Sequence, residues 1–421
     1  MNKKKKLLKK NFMLVLIGQI ISLFGNQILR YALPLYLLNE TGSAMLFGVT
    51  MATSFLPMFI LAPIGGIVAD RVNKRNVMVG LDFSTVAITL LYCVLFKQCN
   101  LIVVTIIMLM LLYGIQGLYQ PTVQASVPLL VSTDSLTQGN ALINMVGSLA
   151  GILGPVIGGI TFAKFGVEAI VWTAILCFIF SAVMELFIKI PYTKTKREEN
   201  VFSVAKKDLK DGILFVTKKR PEIGKVGLLL LVINCVFSAL IVVGLPVLIN
   251  DTLGFETSHA NSLYGFAQGA LALGGLCGGI LAGIFGKKMD VRRGGKWLLG
   301  CTLSIVPIAI CLALELNAYF TYAVLVICCV LVMIFSTILS ILLVTYVQLV
   351  SSVELLGKVM ALLSGLVMCG HPIGQLLYGF LLEQFADCIF AIFIAVDVVA
   401  FFVTLIAYKF FELLEINQAK E

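Results

Sequence analysis

Charge is scarce in this chain. Charged residues make up 13% of the 421 and hydrophobic residues 60%, proportions from which no ordinary soluble domain is built. Histidine occurs only at His259 and His371. Neither sits in an HxxxxD arrangement, and GxGD and GxSG are missing. Nucleophile–base chemistry therefore has little to work with, which counts against a polytopic acyltransferase or protease. No GxxxxGK[ST] phosphate loop occurs, which counts against an ATP-driven pump. The 11 cysteines include no CxxC pair, and only Cys328 and Cys329 are adjacent. An odd number scattered through apolar runs reads as small packing residues rather than disulfides or metal ligands. No metal or other cofactor is expected.

Long apolar runs are what the chain has in abundance. A spanning helix needs about 20 apolar residues, and with water excluded a helix is the spanning form these lengths allow. Twelve runs qualify: 12–38, 46–69, 77–96, 101–128, 140–163, 169–188, 223–250, 262–286, 297–315, 320–349, 359–383 and 388–409. The expected fold is an all-α membrane protein of twelve transmembrane helices in two six-helix bundles. Residues 1–188 form one bundle, 189–222 a basic cytoplasmic linker and 223–421 the other. The run after Lys10 is too long for a cleaved signal peptide and reads as the first span. The linker reads as a solvated tether, although 203–216 has the pattern of an amphipathic helix on the inner leaflet.

The net charge of +9 is a topology signal. Placing the amino terminus inside puts Lys3, Lys4, Lys5, Lys6, Lys9 and Lys10, the linker, and Lys287, Lys288, Arg292, Arg293 and Lys296 at the cytoplasmic face. Only Lys97 and Lys164 fall outside, and Arg30 falls within a span. This asymmetry is the positive-inside rule, with both termini cytoplasmic. It points to contact with anionic lipid and away from nucleic acid.

The halves echo each other. Leu130-Val131-Ser132-Thr133-Asp134-Ser135-Leu136 before span five matches Leu349-Val350-Ser351-Ser352-Val353-Glu354-Leu355 before span eleven, and Gly154-Pro155 returns as Gly370-His371-Pro372. Parallel repeats of this kind build many transporters, with the substrate site between the halves at mid-membrane.

Between spans two and three lies Gly66-Ile67-Val68-Ala69-Asp70-Arg71-Val72-Asn73-Lys74-Arg75. Gly66 permits close packing, Asp70 can cap a helix, and Arg71, Lys74 and Arg75 hold the loop at the cytoplasmic face. Span five carries Gly151-Ile152-Leu153-Gly154-Pro155-Val156-Ile157-Gly158-Gly159. Gly147/Gly151 and Gly154/Gly158 are small-xxx-small pairs, and Pro155 bends the helix. The first stretch resembles the GxxxD-R-x-G-R-R loop of the major facilitator superfamily, and the second its antiporter motif. That resemblance implies that Asp70 meets the start of span eleven and latches the inner gate. Asn73 replaces the usual glycine, a change tolerated because asparagine accepts a left-handed turn. Tyr113-Gly114-Ile115-Gln116-Gly117 in span four matches a third motif, with Tyr113 where drug:proton antiporters have a coupling arginine. Gly18-Gln19, Thr41-Gly42-Ser43-Ala44-Met45, Gln120-Pro121-Thr122 and Gly139-Asn140-Ala141-Leu142 are similar to the macrolide-efflux branch, which also resembles siderophore and lysophospholipid transporters.

The superfamily's geometry implies a cavity lined by spans one, four, seven and ten. Span one has Gln19, Ser22, Asn26 and Arg30 on one face. Span four has Tyr113, Gln116 and Gln120, span seven Asn234 and Ser238, and span ten Ser336 and Ser340. Such stripes face protein or water, lining the cavity or joining helices. Arg30 either meets an anion or snorkels. Asp397 and His371 are the proton-coupling candidates, and each also has a structural reading. Asp82 and Glu185 lie near span ends and read as solvated. The expectation is a secondary exporter of an amphiphilic small molecule, macrolide-like, exchanged for protons by a monomer in the cell membrane. A polytopic enzyme and a non-transporting sensor are the competing classes.

Overall fold

The computed structural model describes residues 10–132, 136–190, 220–285, 290–351 and 353–412, with isolated positions at 214, 216 and 218. These residues form long helices and no strand. In order they are α1 (Lys10–Thr41), α2 (Ala44–Arg71), α3 (Lys74–Leu95) and α4 (Leu101–Leu130). A continuous stretch, Leu136–Leu186, is broken at Gly166, whose φ of 74° and ψ of −173° are not helical. Only glycine adopts that conformation without strain, so Gly166 divides the stretch into α5 and α6. There follow α7 (Pro221–Thr252), α8 (Thr257–Phe285), α9 (Gly294–Ala313), α10 (Ala318–Val350), α11 (Val353–Gln384) and α12 (Ile389–Glu412). Eleven stretches among the described residues are long and apolar enough to cross a membrane, and the division at Gly166 makes twelve spans.

Several helices start at an asparagine. Asn100 accepts from the amides of Ile102 and Val103, and Asn317 from that of Tyr319. Each satisfies a helix-start amide that has no intrahelical partner. Asn73 does the same for α3 at φ −61° and ψ 113°, accepting from the amide of Arg75. The left-handed turn expected of Asn73 is therefore not formed. The residue is an N-cap, and Asp70 lies in the last turn of α2 rather than at a helix start. The side chains of Gly66, Asp70 and Arg71, the basic amino terminus, most of the 189–222 linker, and Lys287 and Lys288 fall outside the described residues.

The chain forms two compact units. The first comprises 1–42, 50–198 and 256–269; the second comprises 43–49, 199–255 and 270–421. In the first unit α1 is the central helix. An ideal Cβ on Gly25 would stand 3.0 Å from Cys177 Cβ on α6, and one on Gly154 would stand 2.5 Å from Gln27 Cβ. Only glycine allows helices to approach this closely. The start of α8 joins this unit: Gly265 faces the carbonyl of Pro155, and Tyr31 stacks on Tyr264 at 5.1 Å.

In the second unit α9 packs between α10 and α12 through Gly294, Gly295 and Gly300, against Phe411, Tyr408 and Phe335. The close face of α8 toward α10 is Gly274 and Gly278. Gly279 and Gly283, on another face of α8, have no neighbour within 4 Å. Residues 43–49 pack on α11. There Glu383, passed over in the sequence, accepts from Ser43 Oγ and, at 2.8 Å, from the amide of Met45. A carboxylate is well placed at this helix start.

Candidate functional site

The polar stripe of α1 divides in two. Gln19 and Ser22 are 0% and 2% exposed. They turn into the first unit toward Asp82 of α3, Tyr119 of α4, and Ser181 and Glu185 of α6. Ser22 Oγ donates to Asp82 Oδ1 at 3.1 Å, and Tyr119 Oη donates to Glu185 Oε1 at 2.5 Å. Ser181 Oγ donates to the Gly18 carbonyl at 3.1 Å. Glu185 packs against α1 at Gly18, where an ideal Cβ would make ordinary contact with Glu185 Cγ at 3.6 Å. Asp82 is 2% exposed and Glu185 0%. The solvated position expected of these two acids is therefore wrong.

Their burial has a local cause. After α6 ends, Ile188 and Ile190 tuck into a core with Phe12, Val15, Met78 and Val123. Asn11 clasps this strap from both sides, donating to the Lys189 carbonyl at 3.0 Å and accepting from the Lys189 amide at 3.3 Å. Arg75 donates to the carbonyl of Leu186 at the end of α6, where a cation suits the helix dipole. The apolar strap thus completes a core that includes Tyr119, the hydroxyl partner of Glu185.

The second part of the stripe is Asn26 and Arg30. Asn26 Nδ2 donates to the Ser22 carbonyl at 3.1 Å. Arg30 lays its guanidinium 3.8 Å over the ring of Tyr113 and donates to the Leu112 carbonyl at 3.4 Å. Tyr113 also packs on Phe55 with ring centroids 4.6 Å apart. The cation absent from position 113 is thus supplied from α1 to the face of the tyrosine that replaces it. Gln116 Oε1 is buried without a hydrogen bond, and Gln120 is half-buried.

Gly151, Gly154, Pro155, Gly158 and Gly159 lie along α5. Gly154 faces Gln27, Gly158 faces Tyr31 and Ile28, and Gly159 faces the carbonyl of Asn261. Gly151 has only ordinary contact, and Gly147 has no neighbour within 4 Å.

In the second unit, Asn234 and Ser238 bound a π turn in α7. Asn234 Nδ2 donates to the Leu230 carbonyl at 2.9 Å. Against this turn pack Gly370 and Gly374 of α11, on either side of His371 and Pro372. An ideal Cβ on either glycine would be 2.5 Å from a carbonyl of α7, that of Leu231 or Cys235. Tyr378 Oη donates to the Val236 carbonyl at 2.9 Å. Ser336 and Ser340 are half-buried on α10, with Ser336 Oγ bonded to the Met333 carbonyl. Asp397 lies in an apolar groove of α9 and α12 with Thr302, Val306, Ile394, Val398 and Phe401. Its Oδ1 is buried without a hydrogen bond. The structure therefore gathers Gln19 and Ser22 with two acids, pairs Arg30 with Tyr113, and sets Asp397 apart from His371 on a different helix.

Among the described residues no group of three or more His, Cys, Asp or Glu side chains could hold a metal ion. The family model described as Major Facilitator Superfamily matches residues 15–293. Macrolide efflux protein A of Streptococcus pyogenes is 24% identical over 378 residues, 88% of each chain. Enterobactin exporter EntS of Shigella boydii is 26% identical over 163 residues, 37% of this chain and 38% of its own. Among solved structures, a bacterial homologue of the iron transporter ferroportin, in an inward-facing state, superposes with a TM-score of 0.70 at 16% identity. That match covers 96% of this chain and 98% of the other.

Proposed function

Because this chain belongs to the major facilitator superfamily, we propose that it exports an amphiphilic, macrolide-like small molecule in exchange for protons. It is a multi-pass membrane transporter of the efflux type and not an enzyme. The observation that carries the substrate reading is the extent of the likeness to a macrolide efflux protein, 88% of both chains.

The proposed cycle is alternating access by a monomer, with both termini and the linker in the cytoplasm. Asp70, Arg71, Lys74 and Arg75 form the proposed inner latch, and the glycines and Pro155 of α5 a flexing element. Asn26, Arg30, Tyr113, Gln116, Gln120, Asn234, Ser238, Ser336 and Ser340 are the proposed contacts along the path. Anionic lipid is a proposed partner of the basic face.

Counterflow of a radiolabelled macrolide in proteoliposomes tests the substrate. Saturable exchange is expected. A second reading, a siderophore exporter, draws on the likeness to an enterobactin exporter. Exchange of a catecholate siderophore without exchange of macrolide would favour it. Orientation is tested by single cysteines at positions 5, 206 and 420 in a cysteine-free background. Labelling of position 206 by an impermeant thiol reagent in intact cells would overturn it.

A further inference from the structure

We propose that Asp82 and Glu185 form one proton-binding site, loaded and emptied during the transport cycle. The proposal rests on the reading of proton-driven export and assigns that proton a place other than Asp397 or His371.

Two buried carboxyl groups of the first unit meet α1 one turn apart, Glu185 at Gly18 and Asp82 at Ser22. Neither belongs to an ion pair among the described residues. Each acid has one oxygen that accepts a hydroxyl hydrogen bond and one that is buried with no partner, Asp82 Oδ2 and Glu185 Oε2. Beside them Gln19 is fully buried, and its Oε1 has no hydrogen bond. It lies next to Tyr119. Buried polar atoms in native proteins are nearly always satisfied. Several orphans converging on two acids therefore mark a place for something mobile and polar.

The chemistry of that occupant follows from charge. Two buried carboxylates without a cation would leave uncompensated negative charge out of water, which is costly. Like charges sharing one site cannot both ionise freely, and their titration belongs to the pair. The site therefore needs a proton. A proton on Oδ2 or Oε2 turns an orphan acceptor into a donor, and the Gln19 amide oxygen is an unfilled acceptor beside it.

Among the described residues, the titratable and charged groups around the pair are few. Tyr119 faces it from α4. At the edge stand Arg75 from α3, bonded to the Leu186 carbonyl, and Lys189 beyond α6. Among the described residues, α1 brings Gln19 and Ser22 to the pair and α6 brings Ser181. The strap at Ile188–Ile190, clasped by Asn11, closes one end. Its release is the simplest way to open the pair to water.

The test uses the full chain in liposomes. Infrared difference spectra across a pH titration are recorded without substrate. The wild type should show a protonated-carboxyl C=O band that titrates, and Asp82→Asn with Glu185→Gln should lose it. Asp82→Glu and Glu185→Asp should each retain a displaced band. Tyr119→Phe, which keeps the ring, should shift the midpoint. In a parallel assay, a pH gradient should drive macrolide uptake into inside-out vesicles. The doubly neutral variant should fall to the protein-free level and keep counterflow, which also shows that it is folded.

A titrating band identical in the wild type and the doubly neutral variant would overturn the proposal. So would gradient-driven uptake by that variant with the wild-type pH profile, or a wild-type site that responds to sodium and not to pH. If the wild type fails to move macrolide, the substrate reading falls, while the infrared experiment still decides the site.

Discussion

The two units bring related helices together in different ways. In the first, α1 is an unbroken helix where it meets α5, and α5 supplies the closeness through Gly154 and Gly158. In the second, α11 offers Gly370 and Gly374 at the matching place, but α7 itself departs from α-helical geometry at Asn234–Ser238. A π turn inserts an extra residue and displaces backbone carbonyls from their usual bonds. In a membrane such groups must find partners within the protein. Tyr378 supplies one for Val236. Related Gly-Pro signatures thus serve a side-chain fit in one unit and a backbone fit in the other.

The sharpest way to break this comparison is to add a methyl group. Gly374→Ala would drive a Cβ to 2.5 Å from the Cys235 carbonyl and 2.4 Å from Ala239 Cβ, whereas Gly154→Ala meets Gln27 Cβ at 2.5 Å. Overpacking costs about 1–3 kcal/mol. Gly374→Ala is expected at or above the upper end and Gly154→Ala nearer the lower, because the neighbour of Gly374 includes backbone. Thermal melting in detergent reads both. Gly279→Ala, with open space around it, should melt at or above the wild-type temperature. Equal melting of all three would show that the difference between the joints has no energetic content.

Smaller effects sharpen the comparison. Tyr378→Phe leaves the Val236 carbonyl without its hydroxyl partner, and a loss of about 1 kcal/mol is expected. Asn11→Ala removes both clasp bonds of the first unit's strap. Faster hydrogen exchange at Lys189 should report it, with exchange at the α7 π turn unchanged.

Arg30→Lys keeps the charge but loses the planar face over Tyr113, and Arg30→Gln loses both. A cation–π contact of this kind contributes about 0.5–2 kcal/mol. Melting temperature and counterflow should decline in the order wild type, Lys, Gln. Tolerance of Gln at wild-type rates would leave the contact a packing detail.

The smallest effect is expected at the exposed Lys97–Glu168 pair. The Lys97 ammonium is held above its ordinary range by its hydrogen bond to Glu168 and then by that residue's charge. Any stability it adds is present at neutral pH and disappears only as alkaline pH passes the raised value. Exposure and salt screening leave little of it. Glu168→Gln should therefore melt as the wild type does at pH 7, in low and high salt alike.

The helices were legible because bilayer length and apolar composition are written locally. Each of the twelve expected runs has its helix, and Gly166 was the one boundary resolved by a single backbone angle. The small-residue signature of α5 was legible too, since glycine and proline have few roles in a membrane helix. Misread residues were those whose surroundings come from other helices. Asp82 and Glu185 sit near helix ends, and proximity to an end suggested water. Residues 188 and 190 after α6 pack into a core beside them, and nothing in the pattern around either acid announces that. Gln19 and Ser22 shared a face with Asn26 and Arg30, yet one helical face meets different neighbours along its length. Glu383 carried no signal at all, because its partners, Ser43 and Met45, are some 340 positions away.

Composition, run length and charge placement by themselves determined an all-helical, membrane-spanning chain with a repeated plan. These properties depend on each segment's transfer from water to lipid, a sum over local residues. Tertiary structure alone decided which polar groups share a pocket, which lie apart, and which helix yields at a joint. Those outcomes depend on distances between segments far apart in sequence. In a low-dielectric interior a few ångströms separate a satisfied hydrogen bond from a buried orphan.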